Sequence, residues 1–144
     1  MPEIEIAIHR PDDEMSTRAL DAMCAQAMRT KILLFGGDRW RPVEFVAVAQ
    51  TATGFPVGLA SLSPTDEMGE GGPQIIGVWV TPFYRKRGIG TRLVLVLAAE
   101  SRRRYDVLPT CVCVTQAGHR AALAAQRQEP QLVVVAELTE LELP

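Results

Sequence analysis

Much of what would narrow the function of this 144-residue chain is missing from it. The cysteines are Cys24, Cys111 and Cys113, an odd set with no CxxC or metal-ligand spacing, which argues against a disulfide framework and against a metal site. Cys111 and Cys113 would share one face of a strand, and are expected to be small buried hydrophobes in a reducing compartment. Excess charge is also missing. The formal net charge is -2, so the chain lacks the basic footprint of a nucleic-acid binder, and any phosphate recognition has to be local. Long apolar runs are absent too: the longest, Leu93 to Ala99, falls well short of the roughly 18 residues of a membrane span. The start, MPEIEIAIHR, has neither a basic n-region nor a long apolar segment, so a soluble, cytoplasmic protein without membrane contact is expected. No repeat or low-complexity segment appears, and neither does the GxxxxGK[ST] loop nor a GxGxxG opening a βαβ unit near the N-terminus.

What is present is a hydrophobic content of 47%, enough for one domain over residues 1–144 with a real core, in a chain too short for two. Ile4, Ile6 and Ile8 alternate with polar residues, which predicts a half-buried strand. Asp12 and Asp13 are candidate caps for a helix whose apolar face is Leu20, Met23, Cys24, Ala27 and Met28. After the loop GGDRWRP, the runs VEFVAVAQ and VGLASLS flank TATGFP and predict a β-hairpin turning at Gly54 and Pro56. An acidic loop, Pro64 to Pro73, leads to QIIGVWV, so apolar that it is expected to lie inside the sheet and be covered on both faces. A buried helix from about Thr91 to Arg103 ends in arginines that suit its dipole. TCVCVTQ predicts a strand, GHRAALAAQRQ an Ala-rich helix, and QLVVVAEL a last strand.

Between the buried strand and the buried helix stands RKRGIG, Arg85 to Gly90. A strand, a glycine-bearing turn and a helix N-terminus together present free backbone N–H groups and the positive end of a dipole, an arrangement that suits a phosphate or pyrophosphate. Gly88 and Gly90 would let the backbone approach an oxyanion without a Cβ in the way, and Arg85, Lys86 and Arg87 would add mobile cations. The plain alternative is a turn glycine with a solvated cationic rim.

The stretch VTPFYRKRGIGTRLV resembles the acyl-CoA pyrophosphate loop of the GNAT superfamily of N-acyltransferases, Arg/Gln-x-x-Gly-x-Gly/Ala after a strand ending in Val-x-Pro. Arg85, Gly88 and Gly90 fill those places, preceded by Val80 and Pro82 with Tyr84 directly before the loop. The order of elements is similar as well. The resemblance implies an α/β (α+β) fold with a mixed, mostly antiparallel sheet flanked by helices, in which strand Gln74 to Val80 splays from strand Thr110 to Thr115. It implies acetyl-CoA as co-substrate and no metal. The pantetheine arm would pair with backbone around Val78, Trp79 and Val80, and the N–H groups of Arg87, Gly88, Ile89, Gly90 and Thr91 would hold the pyrophosphate. Gly77, inside a bulky strand, is expected either to mark a bulge or close ligand approach or to be a packing accommodation.

The implied reaction is acetyl transfer from acetyl-CoA to a primary amine of a small molecule or peptide. It needs a free amine, two reactants held in contact and a donor for the oxyanion. Here the sequence departs from its relatives. The family's Glu on the central strand is replaced by Gln74, Ile75 and Ile76, and the helix after Gln116 reads Ala-Leu-Ala-Ala where a Tyr would serve as acid. Replacement candidates are Glu70 (or Glu67) in the acidic loop as base, His119 as relay and Tyr84 as acid or cofactor contact. Each has a plainer reading, as a solvated loop acid, a surface helix-start residue and a packing ring respectively. His9, Trp40 and Trp79 read as structural. The alternatives from other classes are an acyl-CoA-binding sensor without turnover, and a subunit whose strand Gln131 to Leu138 builds a homodimer.

Overall fold

The computed structural model describes residues 3–26, 43–65, 69–113 and 115–137. Expectations for Ala27, Met28, the GGDRWRP loop with Trp40, Glu67, Leu138 and the side chain of Cys24 lie outside them.

Strand β1 (Ile4–His9) pairs antiparallel with β2 (Phe45–Thr51), and β2 with β3 (Pro56–Ser63). The hairpin turns where the sequence placed it. Gly54 takes φ +86°, and the Thr51 N–H donates to the Phe55 carbonyl at 2.9 Å. β4 (Gln74–Val80) follows antiparallel to β3, then β5 (Thr110–Cys113) and β6 (Val133–Ala136) add parallel, giving one six-stranded mixed sheet in the order β1-β2-β3-β4-β5-β6.

Two irregularities shape the centre of this sheet. Leu59 lies opposite Trp79 while Ser61 lies opposite Ile76, so β4 holds one residue more than β3 across that step. Gly77 is in the left-handed region at φ +71°, the signature of a bulge that only glycine accommodates cheaply. Ser61 Oγ donates to the Ile76 carbonyl at 2.7 Å, satisfying an acceptor at the irregular step. The second irregularity is that, among the described residues, β4 and β5 pair only through Gln74 with Thr110 and Ile75 with Cys111, although β4 continues to Val80. The strands therefore splay, as expected. For the same reason the expectation that β4 is covered throughout fails: Ile75 and Ile76 are buried, but Val78, Trp79 and Val80 are only half-buried where the gap opens.

Helix α1 (Glu14–Gln26) covers one face of the sheet, where Ala19 and Met23 pack on Val46, Val48 and Leu59. On the other face α2 (Ile89–Tyr105) brings Leu93, Val94 and Leu97 against Ala47, Ala60, Leu62 and Ile75, and α3 (Gln116–Gln128) joins that core through Ala122 and Ala125. α2 begins two residues before the expected Thr91, because Gly88 and not Gly90 is its N-cap. At its other end Glu100 accepts from Arg103 and Arg104. Burial pushes the Glu100 carboxyl up, but these two bonds and charges outweigh it and hold it below the usual range. Arg10 and Arg104 lie over the Phe45 ring at 4.4 and 4.9 Å, and the Tyr105 hydroxyl donates to Glu44; burial and that carboxylate push the phenol upward. The anchored end of α2 thus sits about 25 Å, at 1.5 Å per residue, from the end that opens toward the splay.

Thr115, expected in β5, instead caps α3. Cys111 and Cys113 are buried in the common core, and burial raises their thiols to about 12 and about 11, Cys113 adding to the effect on Cys111. Among the described residues no helix is long and apolar enough to cross a membrane, and no cluster of His, Cys, Asp and Glu could hold a metal.

Candidate functional site

The Thr81 N–H donates to the Val57 carbonyl and ends the β4 ladder. Pro82 then starts a single 3-10 turn, Pro82–Tyr84, whose fixed φ suits its first position. Arg85 leaves this turn extended, and its side chain folds back: Nε donates to the Val80 carbonyl at 2.8 Å and the guanidinium lies 4.6 Å from the Trp79 ring centroid. The expectation of three mobile cations is corrected here, because Arg85 is tied to the end of β4. Arg87 lies over the rings of Phe83 and Tyr84, at 5.4 and 5.3 Å.

Lys86 at φ +63° and Gly88 at φ +78° are both left-handed, which curls the loop before it enters α2. A lysine there costs about 1–2 kcal/mol, a cost nothing in its residue type forecast. The first rung of the helix is the Arg92 N–H to the Gly88 carbonyl at 3.0 Å. The N–H groups of Ile89, Gly90 and Thr91 precede that ladder, and no side chain caps them. With the helix dipole they present the kind of end that suits an anion.

The two glycines divide the work the sequence assigned them jointly. Gly88 supplies the backbone conformation, and a Cβ placed on it would meet nothing within 4 Å. Gly90 supplies closeness: a Cβ there would stand 3.0 Å from Ala121 Cβ and 3.8 Å from Val78 Cγ1, so its absence lets α2 approach α3 and β4. Thr91 Oγ1 donates to the Ala121 carbonyl at 3.4 Å along the same seam.

These elements enclose a cleft of about 250 Å³. β4 borders it with Val78, Trp79 and Val80, and every residue expected to hold the cofactor lines it except Arg87. Of the catalytic candidates Tyr84 borders the cleft; Glu70, exposed before β4, and His119, on the first turn of α3, do not. Sequence reasoning missed the wall contributed by α3, namely Ala117, Gly118, Arg120 and Ala121. The available signal was the run of small residues, which lets the helix sit close to β4. A Cβ on Gly118 would lie 2.9 Å from Thr115 Oγ1 and 3.7 Å from the Val78 carbonyl oxygen. Arg85, Lys86 and Arg120 make the cleft cationic, and among the described residues no carboxylate borders it. β6, the strand a dimer was expected to use, pairs within the chain along β5.

The sequence model of the acetyltransferase (GNAT) family matches residues 16–127. No curated protein matches the chain. Similar solved structures include an aminoglycoside acetyltransferase from an uncultured soil metagenomic sample, with 19% identity, TM-score 0.51, and coverage of 71% of this chain and 74% of that one. Another is the ribosomal-protein-alanine N-acetyltransferase of Brucella melitensis, at 20% identity and TM-score 0.50 over 93% and 80% of the two chains. The catalytic domain of the Tetrahymena GCN5 histone acetyltransferase in complex with coenzyme A matches at 15% identity and TM-score 0.52, over 72% and 64%. At these identities the likeness is one of fold. Of three further matched chains, this one spans 66%, 12% and 59% of the length.

Proposed function

The chain belongs to the acetyltransferase (GNAT) family, and from that premise we propose that one domain over residues 1–144 transfers an acetyl group from acetyl-CoA to a primary amine of a small molecule or peptide. One observation carries the reading: the uncapped N-terminus of α2 opens on a cationic cleft beside the stretch of β4 that β5 leaves unpaired. The residues present fit the coenzyme. The left-handed pair Lys86 and Gly88 turns the donors of Ile89, Gly90 and Thr91 toward one cradle, and the open space at Gly88 leaves room for a pyrophosphate. The edge of β4 at Val78 to Val80, which β5 does not pair with, suits the amides of a pantetheine arm, which would add to β4 as a short strand, Val80 offering its N–H because its carbonyl is held by Arg85.

When bound, acetyl-CoA supplies an activated carbonyl and a good leaving group. This chain's part is to hold the two reactants in contact and exclude competing geometries. Tyr84 is the candidate acid, since it borders the cleft; Glu70 and His119 do not border it and would have to act from outside it. With no carboxylate or imidazole among the described residues that border the cleft, the amine loses its proton mainly to solvent. The deprotonated fraction then grows about tenfold per pH unit below the amine pKa.

The test is free-thiol release from acetyl-CoA across a panel of amines. The best amine should show kcat/KM rising from about pH 6.5 to about pH 9 without a neutral plateau. A plateau near pH 7 that vanishes in His119→Ala would show a relocated base, and a large loss in Tyr84→Phe a relocated acid. The same bare cleft favours a second reading, an acyl-CoA sensor; coenzyme binding with no thiol release for any amine would select it.

A further inference from the structure

Next to the cleft the chain exposes a ring that its core does not use. Phe83, central in the 3-10 turn, is 73% exposed, more than any other large hydrophobic residue described. It meets Tyr84 edge-on, with centroids 5.3 Å apart and planes at 79°, and Arg87 lies over both rings. Tyr84 borders the cleft and the anion-binding turn follows it directly. A cation and an aromatic step therefore continue the phosphate site outward.

We infer that Phe83 stacks on the adenine of coenzyme A and that the Arg87 side chain pairs with its 3′-phosphate, an inference that rests on the reading of the cleft as the coenzyme site. The adenosine is tethered to the pyrophosphate, so a pyrophosphate on the donors of Ile89 to Thr91 brings the base to the rim of the same loop. An exposed ring gains by covering its face with a base, since every base offers a π-face. A guanidinium takes a phosphate through two parallel N–H bonds, and Arg87 stands beside the ring without bordering the inner cleft. Arg87 thus serves the outer end of the coenzyme, which separates it from Arg85, locked inward on Val80.

The experiment is calorimetric titration of the full chain with acetyl-CoA, acetyl-3′-dephospho-CoA and S-acetyl-4′-phosphopantetheine, for wild type, Phe83→Ala, Phe83→Trp and Arg87→Gln. Wild type should prefer acetyl-CoA to the form lacking adenosine. Phe83→Ala should lose about tenfold or more in affinity for acetyl-CoA but nothing for the truncated ligand, and Phe83→Trp should keep the preference. Arg87→Gln should narrow the gap between acetyl-CoA and its dephospho form. Wild-type acetyl-CoA affinity in Phe83→Ala, or an equal loss for all ligands, overturns the subsite while leaving the coenzyme reading intact. Failure of wild type to bind any of the three overturns the coenzyme reading itself, and the subsite with it.

Discussion

Two helices point their N-termini at the cleft, and they are finished in opposite ways. α3 starts at Thr115, extended at φ -122° and ψ 155°, whose Oγ1 accepts from the Gly118 N–H at 3.0 Å. α2 starts at Gly88, left-handed and without a side chain to offer, so its first donors have no internal acceptor. A side-chain cap at a helix start contributes about 1 kcal/mol. α3 takes this contribution and α2 forgoes it. The difference separates a helix end closed by its own side chain from one left uncapped, the end we propose for the coenzyme, though both border one cleft.

The strongest way to break this contrast is to give α2 an anion of its own. Gly88→Asp puts a carboxylate among the donors of Ile89, Gly90 and Thr91. Like charges in contact cost several kcal/mol, so affinity for acetyl-CoA should fall about a hundredfold or more by calorimetry. Stability should fall by no more than the left-handed strain of about 1–2 kcal/mol, because no atom lies within 4 Å of the new Cβ and Asp visits that region more readily than most residues. Unchanged affinity in that variant would place the coenzyme elsewhere. It is a cleaner test than the same substitution at Gly90, where contact with Ala121 would disturb helix packing too.

An intermediate effect is expected from Lys86→Gly, which relieves a left-handed lysine and removes one cation from the cleft. Affinity for acetyl-CoA should fall about fivefold at low ionic strength, with the loss shrinking as salt is raised, while the melting temperature should not fall. A lower melting temperature would mean that the side chain holds the loop together. The smallest effect on binding belongs to the capped helix. Thr115→Ala should destabilise the protein by about 1 kcal/mol, lowering the melting temperature by about 2–4 °C, and leave coenzyme affinity as it was. If it weakens binding as much as the Gly88 variant, the two helix ends do not differ in role.

Patterning along the chain made most of this architecture legible in the sequence. The alternation in β1 and the apolar face of α1 followed from periods of two and 3.6 residues, the hairpin at Gly54 from its turn residues, and β4 and α2 from their nearly continuous apolar runs. The turn at Arg85 to Gly90 was legible because glycine has few uses. Its two glycines looked equivalent, however, since sequence does not record φ; only Gly88 is left-handed, and Lys86, a residue with no such preference, is left-handed as well. Arg120 stayed hidden because which side of a short Ala-rich helix meets the cleft depends on how α3 docks, and α3 is apolar over too few positions to reveal it. Thr115 illustrates a third kind of loss: Thr serves a strand or a cap equally well, and the contest was decided by the donor at Gly118.

β4 is read in a frame. Ile75, Val78 and Val80 pack toward α2 and the cleft, while Trp79 packs toward α1, and this parity holds because Gly77 is counted in the strand without being counted in its alternation. Were Gly77 to join the alternation as an ordinary extended residue, every composition statistic of the strand would survive, and hydrogen bonds to β3 could still form. Trp79 would then exchange compartments with its two valine neighbours, leaving the walls of the cleft transposed. The backbone conformation of Gly77 is thus as much a specification of the cleft as the identity of any side chain in it.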